Sequence, residues 1–266
     1  MTEKTPASEP VLRDSQTVQY FDNYVPDYSD KQSKHVDTVI ENFIRPFTGH
    51  DSSLVEIGGG TGSLLRLLLD KTDLKDLCAI DVSKKSLQIC KRRSGCETHV
   101  GSICDAEFVQ QIPRQFDFAT VSFLLHHLIG RSRSQSLIFA RQAIENSLKL
   151  VRPGGHLIIF EPLFGPQSAM TRVFHAKKFT TRFISKRLPL FGRANNLGEP
   201  VVSYLTEEQI LTILESNADC ELCAAYADEA RPTRLMRWAG IRRWADGCFV
   251  VRKLDAQGAA ERKMVA

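Results

Sequence analysis

The sequence predicts an α/β protein built on a seven-stranded, mostly parallel sheet with helices on both faces. Five short apolar runs alternate with helical stretches between residues 54 and 160, and two further strand-like runs lie nearer the C-terminus. Strands that alternate with helices form β-α-β units, whose parallel strands are buried on both faces. A chain of 266 residues is long enough to bury such a core, so we predict a single domain over residues 15–254.

The chain begins with a polar stretch, residues 1–14, which we predict to be a disordered tail. Residues 15–50 are predicted to form an N-terminal helical lid, because Thr17 to Phe47 contains one or two amphipathic helical patterns interrupted near Pro26. The tyrosines Tyr20 and Tyr28 belong to this segment. They either line a binding site or pack in the core of the lid.

The sheet and its helices follow in order. Apolar runs predict strands at residues 54–57, 77–80, 98–100, 116–121, 157–160, 220–227 and 248–252. Helical patterns occupy residues 58–70, 84–93, 135–150 and 206–216. The third helix is stopped by Arg152-Pro153-Gly154-Gly155, and the fourth begins at Thr206 with acidic residues in its first turn.

After the fifth strand the alternation breaks, and we predict a helical cap insertion over residues 163–205. Residues 166–191 contain no acid and carry several lysines and arginines. A basic helix with more than one apolar face fits an anionic, hydrophobic acceptor or an anionic membrane surface, whereas a solvated cap over the core is the plainer alternative. Residues 255–266 are predicted to be a second disordered tail.

Composition narrows the function classes. No apolar run approaches the roughly 18 residues of a membrane span, and the N-terminus resembles neither a signal nor a transit peptide, so we expect a cytoplasmic protein. The seven cysteines have no framework spacing, and Cys220 and Cys223 lack the second pair that a zinc site needs, so no metal is predicted. The modest net charge of +4 does not by itself indicate a nucleic-acid partner, and we expect none.

The stretch LVEIGGGTGSLLRLLL, residues 54–69, places a glycine turn between the first strand and its helix. A ligand of an open parallel sheet sits at such a turn. A dinucleotide would bring a doubly charged pyrophosphate next to the carboxylate of Glu56, which is unfavourable. A ligand with a cationic amine and a sulfonium is favoured there instead, and Asp81, at the end of the second strand, can accept hydrogen bonds from ribose hydroxyls.

Four segments resemble the class I S-adenosylmethionine (SAM)-dependent methyltransferases, and within them the small-molecule methyltransferases. They are VEIGGGTG (55–62), AIDVSKKSL (79–87), FDFATVSFLLHHL (116–128) and LVRPGGHLIIFEP (150–162), in the order and spacing of that family. The resemblance implies a Rossmann-like, doubly wound fold with SAM as cofactor. The contacts that it implies are Glu56, Gly58, Gly59, Gly60, Gly62, Asp81, Val82, Ser102, Ile103, Ser122, Tyr20 and Tyr28.

One position departs from the family pattern. Many members have an acid after the third strand that meets the adenine amino group, and here that position holds Ser102. A serine hydroxyl can accept the same hydrogen bond. Asp105 is the alternative if the loop is shifted.

The histidine pair His126-His127 follows the fourth strand, where the resemblance places the reactive methyl group. A histidine there can take a hydroxyl proton near neutral pH, and His127 is slightly favoured over His126, although either could serve only in packing. On the cap, His175 is a second candidate base. Arg182, Phe183 and Lys186 are candidate acceptor contacts.

The acceptor is expected to be a small, hydrophobic or lipid-like molecule, with O-methylation favoured over C- or N-methylation. Methyltransferases that act on nucleic-acid amino groups have an Asn/Asp-Pro-Pro-aromatic element after the fourth strand, and residues 122–125 are Ser-Phe-Leu-Leu instead. Peripheral contact of residues 166–191 with an anionic membrane is a further expectation. Two alternatives stay open at this point: a non-methylating enzyme that binds SAM, and a regulatory module.

Overall fold

The computed structural model describes residues 33–49, 51–180 and 201–265. Within them, seven strands form one sheet in the order β3-β2-β1-β4-β5-β7-β6. All neighbouring strands are parallel except β7, which runs antiparallel to both β5 and β6. The strands are β1 (Ser53–Ile57), β2 (Asp76–Asp81), β3 (Glu97–Val100), β4 (Phe116–Ser122), β5 (Val151–Gly165), β6 (Cys220–Ala230) and β7 (Arg243–Lys253).

Helices connect the strands. The first, α1 (Val36–Val39), continues through a π-helical segment (Ile40–Ile44) into a 3-10 turn (Arg45–Phe47), and a second 3-10 turn (Leu125–His127) follows β4. The others are α2 (Ser63–Lys71), α3 (Lys84–Ser94), α4 (Ala106–Gln110), α5 (Arg133–Leu150), α6 (Gln167–Thr180), α7 (Glu207–Glu215), α8 (Arg234–Trp238) and α9 (Ala256–Val265).

The sheet is buried on both faces, and alternate residues of each strand belong to different cores. Val55 and Ile57 of β1 join the cluster that includes apolar residues of α4, α5 and α7. Leu54 of the same strand joins the cluster that includes residues of α1, α2 and α3. This alternation is the period of a strand. The Rossmann-like α/β fold class predicted from the sequence is therefore confirmed.

Capping residues explain several helix boundaries. The Ser83 hydroxyl accepts a hydrogen bond from the Ser86 amide at the start of α3, which ends at Gly95 in the left-handed conformation. Thr206 and Gln209 form a reciprocal capping box at the start of α7. The predicted start of the helix at Thr206 thus has its expected physical cause.

Several predicted boundaries are wrong. Helix α2 begins at Ser63, not at residue 58, because residues 58–62 form the glycine turn. Strand β5 begins at Val151 and includes Arg152–Gly155, which the sequence marks only as a helix stop. Its far end pairs with β7 as far as Gly165, so the strand occupies the first residues of the predicted 163–205 insertion.

The tail predicted to be disordered at residues 255–266 forms helix α9 over most of its length. The guanidinium of Arg262 donates a hydrogen bond to the carbonyl oxygen of Cys220, and Ala259 is buried. These contacts anchor a short helix whose composition alone does not predict order. The first predicted tail, residues 1–14, lies outside the described residues.

The carboxyl ends of the parallel strands converge on one edge of the sheet, which we call the carboxyl edge. Strands β1 and β4 are neighbours there, although they are not consecutive in sequence, and such a switch of strand order opens a crevice. Because β7 is antiparallel, its first residues lie at the same edge: Arg243 pairs with Gly165, the last residue of β5. In the part of the chain that the structure describes, no helix has the length and apolar character needed to span a bilayer.

Candidate active site

The glycine turn lies between β1 and α2 and is held by its neighbours through backbone groups. The amides of Gly58 and Gly59 both donate hydrogen bonds to the carbonyl oxygen of Ile80, at 2.8 and 3.2 Å. The amide of Gly60 donates to the Asp81 carboxylate at 3.0 Å. Strand β2 therefore fixes the position of the turn.

Three of the four glycines in the turn show different reasons for being glycine. Gly62 has φ of +78°, and a β-carbon there would lie 2.6 Å from the Cys90 sulfur. Gly59 packs against Ala79, whose β-carbon would lie 3.1 Å away. At Gly60, with φ of +48°, an added β-carbon would meet only a backbone oxygen at 3.9 Å. The open space beside the turn is therefore at Gly60, and this is where a ligand can approach the backbone.

Buried polar atoms gather at the ends of β1 and β4 beside this space. Glu56 is 3 % exposed, and its Oε2 atom has no hydrogen-bond partner among the described residues. The same holds for the hydroxyl oxygens of Thr120 and Ser122. Glu56 and Thr120 face each other in the β1–β4 register. Buried polar groups normally have partners, so this cluster indicates a polar ligand.

Burial raises the pKa of Glu56 well above its usual range, and the nearby Cys96 and Asp81 add to that shift. An ammonium group beside the carboxylate would oppose the shift, because an opposite charge favours the ionised form. A pyrophosphate would reinforce it. The charge of the site therefore fits a cationic ligand such as SAM better than a dinucleotide.

Asp81 stands at the end of β2, half-exposed, with both carboxylate oxygens already accepting backbone hydrogen bonds. Oδ2 accepts from Gly60, and Oδ1 accepts from the Ser83 amide at 2.7 Å. Each carboxylate oxygen has a second lone pair, so ribose hydroxyls can still be bound. Val82, next in the chain, is also partly exposed at this edge.

The predicted adenine contacts differ in what they can offer. Ser102 is partly exposed, and its hydroxyl accepts a hydrogen bond from the Cys104 amide. The Ile103 side chain is 3 % exposed in the core, so contact with adenine would involve little more than its backbone. Asp105, the alternative to Ser102, caps α4 by accepting from the amides of Glu107 and Phe108.

On the other side of β4, a histidine and a carboxylate form a buried pair. His126 is 7 % exposed, and Glu161 of β5 is fully buried. The Glu161 carboxylate accepts hydrogen bonds from the Leu125 and His126 amides, at 3.2 and 3.1 Å, and contacts His126 Nδ1 closely. Burial raises the pKa of Glu161, and these two backbone donors oppose the shift.

The backbone that carries this pair is strained. Phe123, between Ser122 and the histidine turn, has a positive φ of 53°. Its amide donates a hydrogen bond to the Phe160 carbonyl oxygen at 2.8 Å, which ties the turn to β5. Strained residues that their surroundings hold in place are frequent at functional sites.

His127 has a different environment from its neighbour. Burial lowers its pKa well below the usual value, with smaller contributions from the charges of His126 and of Lys177 on α6. His127 is therefore neutral at neutral pH. The carboxylate partner belongs to His126, although the sequence slightly favours His127 as the base.

Aromatic side chains extend from the histidine pair. Tyr204 stacks on His126 at a ring-centroid distance of 5.1 Å and contacts Phe164 at 4.2 Å. Phe164 in turn stacks with Trp244 at 6.3 Å. We call these three residues the aromatic wall. Sequence reasoning missed Glu161 and the wall, but one signal was available: Glu161 is the one acid of β5 and directly follows an apolar run, residues 157–160.

Of the remaining predicted site residues, His175 alone is among the described residues, and it is not brought into this site. His175 lies on α6 with an exposed side chain, where its ring contacts Phe174 edge-on at 5.4 Å. Tyr20, Tyr28, Arg182, Phe183 and Lys186 lie outside the described residues. For these five, the roles given by the sequence stay predictions.

Within the described residues, one group of side chains has metal-ligating types close together: Cys78, Glu97 and His99, with ligand atoms within 4.8 Å of one another. Two features disfavour a cation there. The Arg114 guanidinium already pairs with Glu97 at 3.1 Å, and burial raises the pKa of Cys78 to about 12. We assign no role to this group.

Comparisons with known proteins agree with the geometry. Residues 55–157 match a methyltransferase domain family. An uncharacterized methyltransferase of Staphylococcus carnosus is 28 % identical over 43 % of this chain and 49 % of its own length. A malonyl-[acyl-carrier protein] O-methyltransferase of Priestia megaterium is 26 % identical over 49 % of this chain and 44 % of its own length. The matched region thus spans about half the length of these curated relatives.

Solved structures share the fold over most of the chain. The N-methyltransferase NodS of Bradyrhizobium japonicum superposes with a TM-score of 0.57 at 15 % identity, covering 90 % of this chain and 99 % of NodS. The [4+2]-cyclase SpnF gives a TM-score of 0.57 at 14 % identity, covering 92 % of this chain and 98 % of SpnF.

The match over residues 55–157 and the shared fold support a class I SAM-dependent methyltransferase. The glycine turn, Glu56 and Asp81 lie at the carboxyl ends of β1 and β2. The His126–Glu161 pair and the aromatic wall lie on the opposite side of β4, toward β5 and β7. We name the two groups, after the roles proposed for them below, the cofactor side and the acceptor side of the carboxyl edge.

Proposed function

We propose that this protein transfers a methyl group from SAM to a hydroxyl oxygen of a small, hydrophobic acceptor. The orphaned Oε2 of Glu56 and the open space at Gly60 fit the ligand. Glu56 would attract the methionine ammonium, and Asp81 would bind the ribose. SAM supplies a methyl group on a sulfonium, which is already a good leaving group, so the protein has to align the acceptor and take its proton.

The observation that carries the proposal is the buried His126–Glu161 pair. When His126 is neutral and Nδ1–H donates to the Glu161 carboxylate, Nε2 is the basic nitrogen. Nε2 takes the hydroxyl proton as the oxygen becomes nucleophilic, and the carboxylate stabilises the imidazolium that results. A base of this kind is needed for a hydroxyl acceptor. It is of less use for a neutral amine, which is already nucleophilic.

The acceptor class is inferred from the surroundings of this pair. The aromatic wall of Tyr204, Phe164 and Trp244 offers apolar surface next to His126. The name of the Priestia megaterium relative, an O-methyltransferase, supports transfer to oxygen. We further propose a cytoplasmic protein whose acceptor is lipid-like, with residues 166–191 contributing peripheral contact with an anionic membrane.

A second candidate is a non-methylating enzyme that uses bound SAM for another purpose. The likeness to the [4+2]-cyclase SpnF favours keeping it, because that fold neighbour is named for a cyclisation. The His126–Glu161 pair argues for methyl transfer, since a cyclase has no need to remove a hydroxyl proton. Formation of S-adenosylhomocysteine separates the two candidates.

The test is a screen of hydrophobic acceptors that carry a hydroxyl, an amine or an activated carbon, with S-adenosylhomocysteine as the measured product. We expect turnover with a hydroxyl acceptor and a loss of about 10²-fold or more in His126→Asn, the usual effect of removing a general base. The matched variant His127→Asn should lose much less. Turnover confined to amines, or equal small losses in both variants with an unchanged pH profile, would contradict the assignment.

A further inference from the structure

The connection between β6 and β7 carries two large apolar side chains that no other described residue covers. Trp238 is 85 % exposed and Leu235 is 65 % exposed. They are three residues apart on α8, so they lie on the same face of the helical turn. Met236, on the other side, packs against the small core cluster that includes Ile241 and Met170. The helix is therefore fixed to the protein with its apolar outer face in solvent.

This connection is also strongly basic. Residues 231–243 contain five arginines and no acid. Arg243 is neutralised by ion pairs with Glu207 and Glu229. The other four, Arg231, Arg234, Arg237 and Arg242, have exposed side chains. None of these four forms an ion pair with another described residue, so their charge is available to a partner.

The neighbouring helix α6 adds to this charge. Its Arg172 is exposed, and the guanidinium lies so close to Gly240 that a β-carbon there would meet it at 2.5 Å. The described part of α6 contains no acid either. We call the surface formed by residues 231–242 and Arg172 the Trp238 tip.

The Trp238 tip lies at the carboxyl edge of the sheet, on the acceptor side. The β5–β7 register places Arg243, the residue after the tip, opposite Gly165 at the end of β5. The core cluster under the tip contains Phe164, and Tyr204 and Trp244 of the aromatic wall pack against it. A continuous layer of apolar side chains therefore joins the tip to His126.

We propose that the Trp238 tip docks this methyltransferase on the surface of an anionic lipid bilayer. A tryptophan and a leucine ringed by arginines match an interface in which apolar chains lie beneath anionic headgroups. The lipids of a fluid bilayer can rearrange around the protruding side chains of Trp238 and Leu235. The inference deepens the proposed function, because a bilayer would supply a hydrophobic acceptor on the side where His126 and the aromatic wall lie.

Vesicle flotation without SAM or acceptor tests the docking independently of turnover. We expect the protein to bind phosphatidylcholine vesicles that contain phosphatidylglycerol and to bind pure phosphatidylcholine weakly, with binding reduced by salt. The double variant Trp238→Ala/Leu235→Ala should lose about tenfold or more in binding. Arg231→Gln/Arg234→Gln should lose about fivefold for each charge removed.

Matched controls exclude a general effect of charge or apolar exposure. Lys91→Gln/Arg92→Gln removes the same charge from exposed positions on α3, and Ile138→Ala removes an exposed apolar side chain from α5. Both should bind vesicles as the wild type does, and so should His126→Asn, whose defect is in turnover. In Trp244→Phe, which leaves Trp238 as the fluorescent tryptophan, emission should shift to the blue when vesicles are added.

Three results would overturn the proposal. The first is no binding to phosphatidylglycerol vesicles at low salt. The second is binding that the Trp238→Ala/Leu235→Ala variant retains in full. The third is a wild-type protein that self-associates in solution and becomes monomeric in that variant, because the apolar pair would then contact a second copy of the chain.

Discussion

The two sides of the carboxyl edge are built from different parts of the chain. On the cofactor side, backbone groups set the geometry: two glycine amides share the Ile80 carbonyl oxygen, and a third amide binds Asp81. On the acceptor side, side chains set it: a carboxylate holds a histidine, and an aromatic wall extends toward an arginine-rich tip. Cofactor binding and acceptor chemistry should therefore be separable by mutation.

The largest expected effect is on the cofactor side. Gly60→Val should weaken SAM binding by at least about 3 kcal/mol, because the side chain fills the open space at the turn and must be accommodated at a positive φ. Isothermal titration calorimetry measures the loss. The acceptor side should be intact, so vesicle binding by the Trp238 tip should be unchanged.

Gly154→Val is the matched control for this substitution. Gly154 also has a positive φ, of 80°, and also faces open space, but it lies in the first residues of β5, at the opposite edge of the sheet. Gly154→Val therefore introduces a similar backbone strain at a position away from the proposed cofactor site. An equal loss of SAM affinity in both variants would show that strain alone, and not occupation of the ligand space, is responsible.

The next effect isolates the acceptor side. Glu161→Gln keeps the shape of the side chain and removes the charge that stabilises the His126 imidazolium, so turnover should fall by about 10²-fold or more. SAM affinity should stay within about twofold, since contacts with the glycine turn are unaffected. The exposed carboxylate of Glu215 provides a control, Glu215→Gln. A parallel loss of SAM affinity and turnover would mean that the two sides are not separable.

A smaller loss is expected at the ribose position. Asp81→Ala should weaken SAM binding by about 1–3 kcal/mol, the cost of losing hydrogen bonds to a charged group. Asp105→Ala, which removes an acid from the neighbouring loop, should change the affinity much less and lower the melting temperature through loss of the α4 cap. If Asp105→Ala weakened SAM binding and Asp81→Ala left the affinity nearly unchanged, Asp105 would be the ligand contact.

The smallest effect is a pH dependence that Glu56 confers on binding. Burial raises the pKa of Glu56 in the free protein, and a bound cation would lower it, so ligand binding should release protons over the pH range between the two pKa values. SAM affinity should therefore rise with pH, by at most about tenfold per pH unit, over the range between the pKa values of the bound and free forms. Calorimetry in buffers of different ionisation enthalpy detects the released proton. Glu56→Gln should bind more weakly without this pH dependence.

The sequence predicts the positions of the glycine turn and of Asp81 in the fold well, because the signals for them are local. The turn VEIGGGTG follows a strand directly, and Asp81 closes the next one, so both groups are placed by the fold class alone. Local patterns do not show why each position of the turn needs a glycine. Gly62 is required by the Cys90 side chain, which lies 28 positions along the chain and is brought close by the packing of α3 on α2, and Gly60 by the open space.

The acceptor side was predicted poorly because its contacts are distant in sequence. Glu161 meets His126 across two strands, and Tyr204 returns to the same histidine from beyond the inserted segment. Helix α8 is a five-residue helix in a connection that the sequence shows only as basic and aromatic. The antiparallel register of β7 brings that connection to the site, and no local pattern specifies it.

The most direct test of the account is a calorimetric titration of the wild-type protein with SAM, S-adenosylhomocysteine and NAD. The buried Glu56 carboxyl beside the glycine turn should admit the first two in the micromolar range and exclude the pyrophosphate of the third. Binding of both adenosyl ligands with no heat from NAD is the predicted result. Tight NAD binding with no response to SAM would contradict the assignment of the cofactor site and the function built on it.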